Sequence, residues 1–278
     1  MLLARLVALA TRTAAGKRLL WRTWYQFLAA RYRDRSWTFM NYGYRSPAAP
    51  AGGETRPAPV LDASDEPDRA CIQLYDLVAG AGPLAGRDVL EVGCGRGGGA
   101  AYVARYLKPR RMVAVDLAPR AVALCRARFA VPALSFEVGD AERLPFGDAS
   151  FDAVLNVESS HCYGHLAAFF GEVRRVLRPG GTFLYADFRP EAELAGWQAA
   201  LRDAGFEIRE ARDLTPGVVA ALDAEDDRKR ALITRLVDRP LAGIFREFAA
   251  LRGSELYDEL RRGTFQYRAF VLAPAAAV

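Results

Sequence analysis

Two histidines, His161 and His165, are all the imidazole in this chain of 278 residues. A metal site would therefore have to rest on carboxylates, and none is expected. The four cysteines, Cys71, Cys94, Cys125 and Cys162, have no C-x-x-C spacing. That sets aside a disulfide scaffold and a zinc site. Long uncharged apolar runs are missing too. The start, Met1 to Ala10, is apolar, but Arg5 and Arg12 interrupt it and no small-residue cleavage site stands out. Neither a signal peptide nor a membrane span is expected, which leaves the cytoplasm as the expected location. A net basic excess is missing outside the first 35 residues. There Arg5, Arg12, Lys17, Arg18, Arg22, Arg31, Arg33 and Arg35 face Asp34 alone, so a net charge of +5 leaves the rest near neutral or slightly acidic. A nucleic-acid enzyme carries its basic stripe on the core fold, so no nucleic-acid partner is expected. No internal repeat is visible.

What is present suits one large domain. Hydrophobic residues make up 51% of the chain, enough for a real core. Residues 1 to 35 interleave Leu, Val, Trp, Tyr and Phe with arginine at helical spacing, which predicts one or two amphipathic helices. Two readings of them stand open: a helix packed on the domain as a lid, or a surface resting on membrane or lipid. A Pro/Gly/Ala-rich stretch from Ser46 to Ala63 reads as a linker. The expected division is thus residues 1–63 as helices, lid and linker, and residues 64–278 as the main domain. A helix is predicted over Glu66–Ala79. Strands are then predicted at Val89–Gly93, Met112–Asp116, Leu134–Val138, Phe151–Val157, Thr182–Asp187, Phe206–Arg212 and Phe265–Leu272, most of them separated by helices. The helix after the first strand is expected to reach Leu107. This alternation implies an α/β, Rossmann-like, seven-stranded and mostly parallel sheet. The last strand is expected to be antiparallel, with a helical cap over about 214–263 after strand six.

The run Val89-Leu90-Glu91-Val92-Gly93-Cys94-Gly95-Arg96-Gly97-Gly98-Gly99 is a buried strand, an acid and a glycine loop opening a helix. Such a loop grips a nucleotide-like cofactor through its backbone. Glu91 would repel a pyrophosphate but suits a cationic, ribose-bearing cofactor. Asp116 closes the second strand at the distance where an acid meets ribose hydroxyls. Asp140 follows the third strand and suits an adenine amino group. A solvated loop carboxylate explains any one of these acids, but not all three at successive strand ends. NAD shares the glycine loop and the second-strand acid; Glu91 and Asp140 favour S-adenosylmethionine.

Four stretches carry a family resemblance: Glu91-Val92-Gly93-Cys94-Gly95, Gly139 to Phe146, Asp148 to Asp152, and Val173 to Gly181. The chain resembles the class I S-adenosylmethionine-dependent methyltransferases. Asn41-Tyr42-Gly43-Tyr44, Ser64 to Ala70 and Asn156 to Tyr163 extend the likeness to the phthiotriol and phenolphthiotriol dimycocerosate methyltransferases. Natural-product O-methyltransferases share the same core. The resemblance fades after about residue 205. It implies that Gly93 and Gly95 line the methionine part of the cofactor, Asp116 its ribose, and Asp140 with Ala141 its adenine. Asn156 would lie where the family makes backbone contacts to the methionine, and Glu91, Cys94, Leu117 and Gly139 are further expected cofactor contacts.

An alcohol is a poor nucleophile while protonated, so a positioned base matters. His161, a few residues past the fourth strand, is the candidate base, and Asp187, at the end of the fifth, would hold its tautomer. The resemblance to sugar O-methyltransferases supports the pair. The bland alternative is a loop histidine with a capping aspartate. His165 is expected to start the next helix. Glu158 would either orient His161, face the substrate or simply end its strand. Cys94 and Cys162 read as buried small residues. Tyr42 and Tyr44 would close over the cofactor or fill a lid core. The expected activity is O-methylation of a hydroxyl on a hydrophobic polyketide, glycoside or lipid. C- or N-methylation, or a cyclase that keeps the fold without transferring methyl, are the alternatives.

Overall fold

The computed structural model describes residues 13–34, 36–46 and 58–275. Residues 1–12 of the predicted amphipathic segment and 47–57 of the predicted linker lie outside the described residues.

Seven strands form one sheet: β1 (Asp88–Val92), β2 (Arg111–Asp116), β3 (Leu134–Val138), β4 (Phe151–Val157), β5 (Leu177–Pro190), β6 (Phe206–Asp213) and β7 (Phe265–Pro274). Their order is β3-β2-β1-β4-β5-β7-β6. The first five run parallel, and β7 runs against both β5 and β6. The strand order therefore reverses between β1 and β4. The crevice above that point is where an open α/β sheet receives its ligand.

Side-chain alternation divides the sheet between two cores. Val89, Met112, Leu155 and Leu184 face one way, with Ile72 and Leu74 of helix α2 (Arg69–Ala79). Leu90, Val113, Val154 and Phe183 face the other way, with Trp197. The remaining helices are α1 (Ala14–Arg31), α3 (Gly98–Tyr102), α4 (Pro119–Arg128), α5 (Leu166–Val176), α6 (Leu194–Asp203), α7 (Thr215–Leu236), α8 (Ala242–Phe248) and α9 (Glu255–Arg262). The last three lie between β6 and β7, where the helical cap is expected.

Three local expectations need adjustment. The helix expected from Glu66 begins as a 3-10 turn over Glu66–Asp68. The helix after the glycine loop is α-helical only to Tyr102, then widens to a π turn over Val103–Leu107 and stops at Lys108 in the left-handed region. The fifth strand does not end at Asp187. It continues to Pro190 because β7 pairs with it throughout, Asp187 opposite Arg268 and Pro190 opposite Phe265.

Helix α1 is capped by Thr13, whose hydroxyl accepts from Gly16 N at 3.1 Å. Its Leu28, with Tyr32, packs on Ile233, Val237, Phe245 and Leu251 of the cap region. The chain beyond α1 is gripped through its backbone. The Arg96 guanidinium donates to Trp37 O at 2.6 Å and Tyr32 O at 2.7 Å. Arg128 donates to Trp37 O at 2.9 Å and Asp34 O at 2.8 Å.

Gly99 shows why the loop is rich in glycine. A Cβ there would overlap the Tyr75 ring, whose hydroxyl donates to Glu91 at 2.7 Å. Gly99→Ala is expected to destabilise the fold by about 1–3 kcal/mol, the usual cost of overpacking a core. Chemical denaturation of the two proteins measures it.

Candidate active site

The crevice above the β1/β4 switch point holds a cavity lined by the strand ends and by α1. It encloses about 1080 Å³ of non-protein space, mouth included, at the upper end of the range for small-molecule sites. Strand ends make its floor and α1 crosses its roof.

The floor begins at the glycine loop. Gly93 N and Cys94 N donate to Val115 O at 2.8 and 3.0 Å, which ties the loop to β2. Gly93 has φ of +79°, and a Cβ on it would overlap Ser159. Only glycine suits both demands. Asp116 lies in the cavity wall. Its two oxygens accept from Gly95 N and Ala118 N, each at 2.9 Å, leaving further lone pairs for a diol. Burial pushes its carboxyl up to about 6, against the pull of those two N–H groups. Leu117, Gly139, Asp140 and Ala141 complete this side.

Two residues expected at the cofactor do not line the cavity. Glu91 lies behind the loop, 1% exposed and bonded to Tyr75, with Oε2 lacking any hydrogen-bond partner. Burial raises its carboxyl to about 7. Asn156 is fully buried. Its amide nitrogen, with two N–H groups to give, lies 2.9 Å from Val92 O, 2.8 Å from Ser159 Oγ and 2.9 Å from Tyr163 Oη, while Oδ1 has no hydrogen-bond partner. Asn156 thus braces the turn from behind. Asp116 at the end of β2 and Asp140 just past β3 place carboxylate acceptors in the cavity wall itself. That chemistry fits a ribose diol and an adenine amine.

Across the cleft, β4 leads into the short turn Ser160–Cys162. His161 lines the cavity, and its Nδ1 lies 2.9 Å from Oδ1 of Asp187 on the neighbouring strand. Asp187 is wholly buried. It also accepts from His161 N and Phe188 N, each at 2.9 Å, and from Ser160 Oγ. Arg189 stands 3.5 Å away. Burial alone would raise this carboxyl, but His161, Arg189 and the hydrogen bonds hold it well below the usual range. The imidazole has the opposite balance. Burial pulls it down, yet its neighbours Cys162 and Asp187 carry it up to about 10. Phe188 packs on the ring with centroids 4.6 Å apart, and Trp21 of α1 meets it edge-on at 6.2 Å. His165, by contrast, occupies the N-cap position of α5. Cys94 and Cys162 are buried.

Of the neighbours weighed in the sequence, Glu158 and Tyr42 line the cavity, and Arg18 joins them from α1. Glu158 sits in the left-handed region with φ of +53°, strained for a residue with a Cβ. Its Oε2 accepts from Tyr42 N at 3.0 Å and Tyr267 Oη at 3.1 Å, and burial raises its carboxyl to about 8. Tyr42 lines the cavity, whereas Tyr44 packs over Gly217, away from it. From the roof, Arg18 reaches Asp140 at 3.3 Å and Glu142 at 3.5 Å. Helical periodicity alone suggests α1 as amphipathic; which side faces a site depends on its docking.

Among the described residues no cluster of metal-ligating side chains occurs. A methyltransferase-domain family model matches residues 90–185. The phthiotriol/phenolphthiotriol dimycocerosates methyltransferase of Mycobacterium tuberculosis (strain ATCC 25618 / H37Rv) is 41% identical over 95% of each chain. A fatty-acid O-methyltransferase of Mycolicibacterium smegmatis is 39% identical over 91% of this chain and 89% of its own. Among solved structures, the [4+2]-cyclase SpnF shares the fold, with a TM-score of 0.57 at 24% identity over 75% of this chain and 82% of its own. Other neighbours of this fold have been solved with S-adenosylmethionine or S-adenosylhomocysteine. The chain therefore belongs to the class I S-adenosylmethionine-dependent methyltransferases, in the family of the phthiotriol/phenolphthiotriol dimycocerosates methyltransferases.

Proposed function

We propose that this enzyme methylates a hydroxyl oxygen on a hydrophobic natural product (a polyketide, glycoside or lipid), with His161 as general base. The observation that carries the reading is the imidazole in the cavity wall, its Nδ1 tied to a buried carboxylate. S-adenosylmethionine supplies an activated methyl on a sulfonium, so the protein's part is alignment and proton removal. Gly93, Cys94 and Gly95 would hold the methionine end, Asp116 and Leu117 the ribose, and Gly139, Asp140 and Ala141 the adenine. Glu91 and Asn156 would act from behind, as acceptors that favour a cation over the loop. With Nδ1 engaged by Asp187, Nε2 is the nitrogen left to take the hydroxyl proton. Asp187 steadies the imidazolium that results. The test is product mass: a long-chain alcohol should gain one methyl group, while a cyclisation would add none.

Asp116→Ala is expected to weaken S-adenosylmethionine binding by about tenfold to a hundredfold, the loss of charge-assisted hydrogen bonds. Calorimetric titration checks it.

One observation favours a second oxygen nucleophile. The buried Asp187 carboxylate favours the charged form of the His161 imidazole, and Arg22 shares the cavity wall with it. That setting suits a carboxylate, which needs no base, and a relative is named a fatty-acid O-methyltransferase. Under this reading His161→Ala raises KM for acids and spares kcat.

Residues 1–63 are proposed as the lid and linker, and residues 64–278 as the catalytic domain with its cap. No described helix is long and apolar enough to cross a membrane. Contact of the lid with a lipid surface is supported by the exposed apolar side chains of Leu19 and Phe27 on α1, 65% and 37% exposed.

A further inference from the structure

A second cavity abuts the first. Phe39, Met40, Asn41, Tyr42 and Phe248 line both. Beyond that shared wall the lining turns aliphatic and aromatic: Leu232, Ile233, Leu236 and Val237 from α7 and its end, and Phe245 and Ala249 from α8 and its end. The space is about 700 Å³, mouth included. Its charged lining residues are engaged elsewhere. Lys229 donates to Tyr42 O at 3.2 Å, and Arg228 bonds Glu225 and lies 3.6 Å from Asp68. The lumen is left apolar.

All these lining residues fall outside residues 90–185, the stretch that matches the methyltransferase-domain model. The chamber is therefore built by the lid connection and the cap rather than by the cofactor-binding core. Such additions are where a shared fold acquires its own ligand.

We propose that this second cavity houses a straight hydrocarbon chain of the substrate, threaded past Met40 and Phe248 so that the reactive oxygen lies at His161. The proposal rests on the O-methylation reading and adds where the chain goes. Met40 has three rotatable side-chain bonds and a soft thioether, which suits a gate between the two spaces.

The test is binding rather than turnover, so its failure and that of the His161 mechanism are separable. Straight-chain alcohols of roughly eight to sixteen carbons are titrated against the whole protein; each buried methylene should tighten Kd by about fourfold until the cavity is full. Ala249→Phe and Leu232→Trp fill the lumen without touching the residues proposed for the cofactor or for catalysis. Both should lose at least tenfold in affinity for the longest chains, while short-chain and S-adenosylmethionine affinities stay within twofold. Should Ala249→Phe fail to fold, Leu232→Trp, whose side chain is only partly buried, gives the same reading. Affinity independent of chain length in the wild type, or filled variants that bind long chains like the wild type, would overturn the proposal.

Discussion

His161→Ala should lower kcat for an alcohol substrate by about 10²–10⁴-fold, the usual contribution of a positioned general base. Affinity for S-adenosylmethionine should change by less than about twofold, because in this reading the imidazole meets the substrate side of the cavity and the cofactor is gripped from β1, β2 and β3. Single-turnover kinetics with separately measured cofactor binding makes the comparison. Alcohol methylation at the wild-type rate would remove His161 from the chemistry. A KM rise confined to carboxylic acids would instead select the carboxylate reading.

Asp187→Asn should have a second large effect, visible in its dependence on pH. In the folded protein the imidazole is raised to about 10, Cys162 and Asp187 together outweighing burial. The base form therefore accumulates as pH rises, and alcohol turnover should climb through the alkaline range. Removing the carboxylate's charge leaves burial less opposed, so the limb should move down by more than a pH unit. The rate on its plateau should fall by about 10²-fold or more, since an amide does not steady an imidazolium. Stability runs the other way. A raised imidazole stabilises the fold fully below about pH 6.5, and that contribution is lost as the pH climbs through about 10. The depressed Asp187 contributes above about 3.8 and loses its contribution as pH falls toward its folded value. Thermal unfolding should thus show the wild type most resistant between about pH 4 and 6.5, with a much flatter profile in Asp187→Asn. A wild type equally stable at pH 6 and pH 10 would contradict the pairing.

Much of this was legible in the sequence because it is local. The strand predicted at Leu134–Val138 is β3, residue for residue. The acids after β2 and β3 line the cavity because strand ends in a parallel sheet share one edge. His161 meets Asp187 because β4 and β5 are neighbours, Asn156 opposite Tyr185. What was not legible depends on distant partners. Glu91 looked like a cofactor ligand, but Tyr75 from α2 closes it in. Glu158 is held by Tyr42 N and Tyr267 Oη, 116 and 109 residues away along the chain. No spacing rule reaches that far. The extension of β5 to Pro190 likewise needed β7, whose pairing no pattern within β5 announces. Helix α1 has two apolar sides. Trp21 and Tyr25 face the cavity, and Leu28 faces the cap. Its periodicity suggested an amphipathic helix without saying that it serves two neighbours.

The grip of Arg96 and Arg128 on the chain after α1 has one more consequence. All four of those bonds end on main-chain carbonyls, at Tyr32, Asp34 and Trp37. Carbonyls are the same whatever side chain a residue bears. These four bonds are thus indifferent to side-chain identity, and only the Trp37 ring, 4.3 Å beneath the Arg96 guanidinium, adds a contact that a substitution there would lose. Relatives that keep the two arginines are free to rewrite the face they turn toward their substrates.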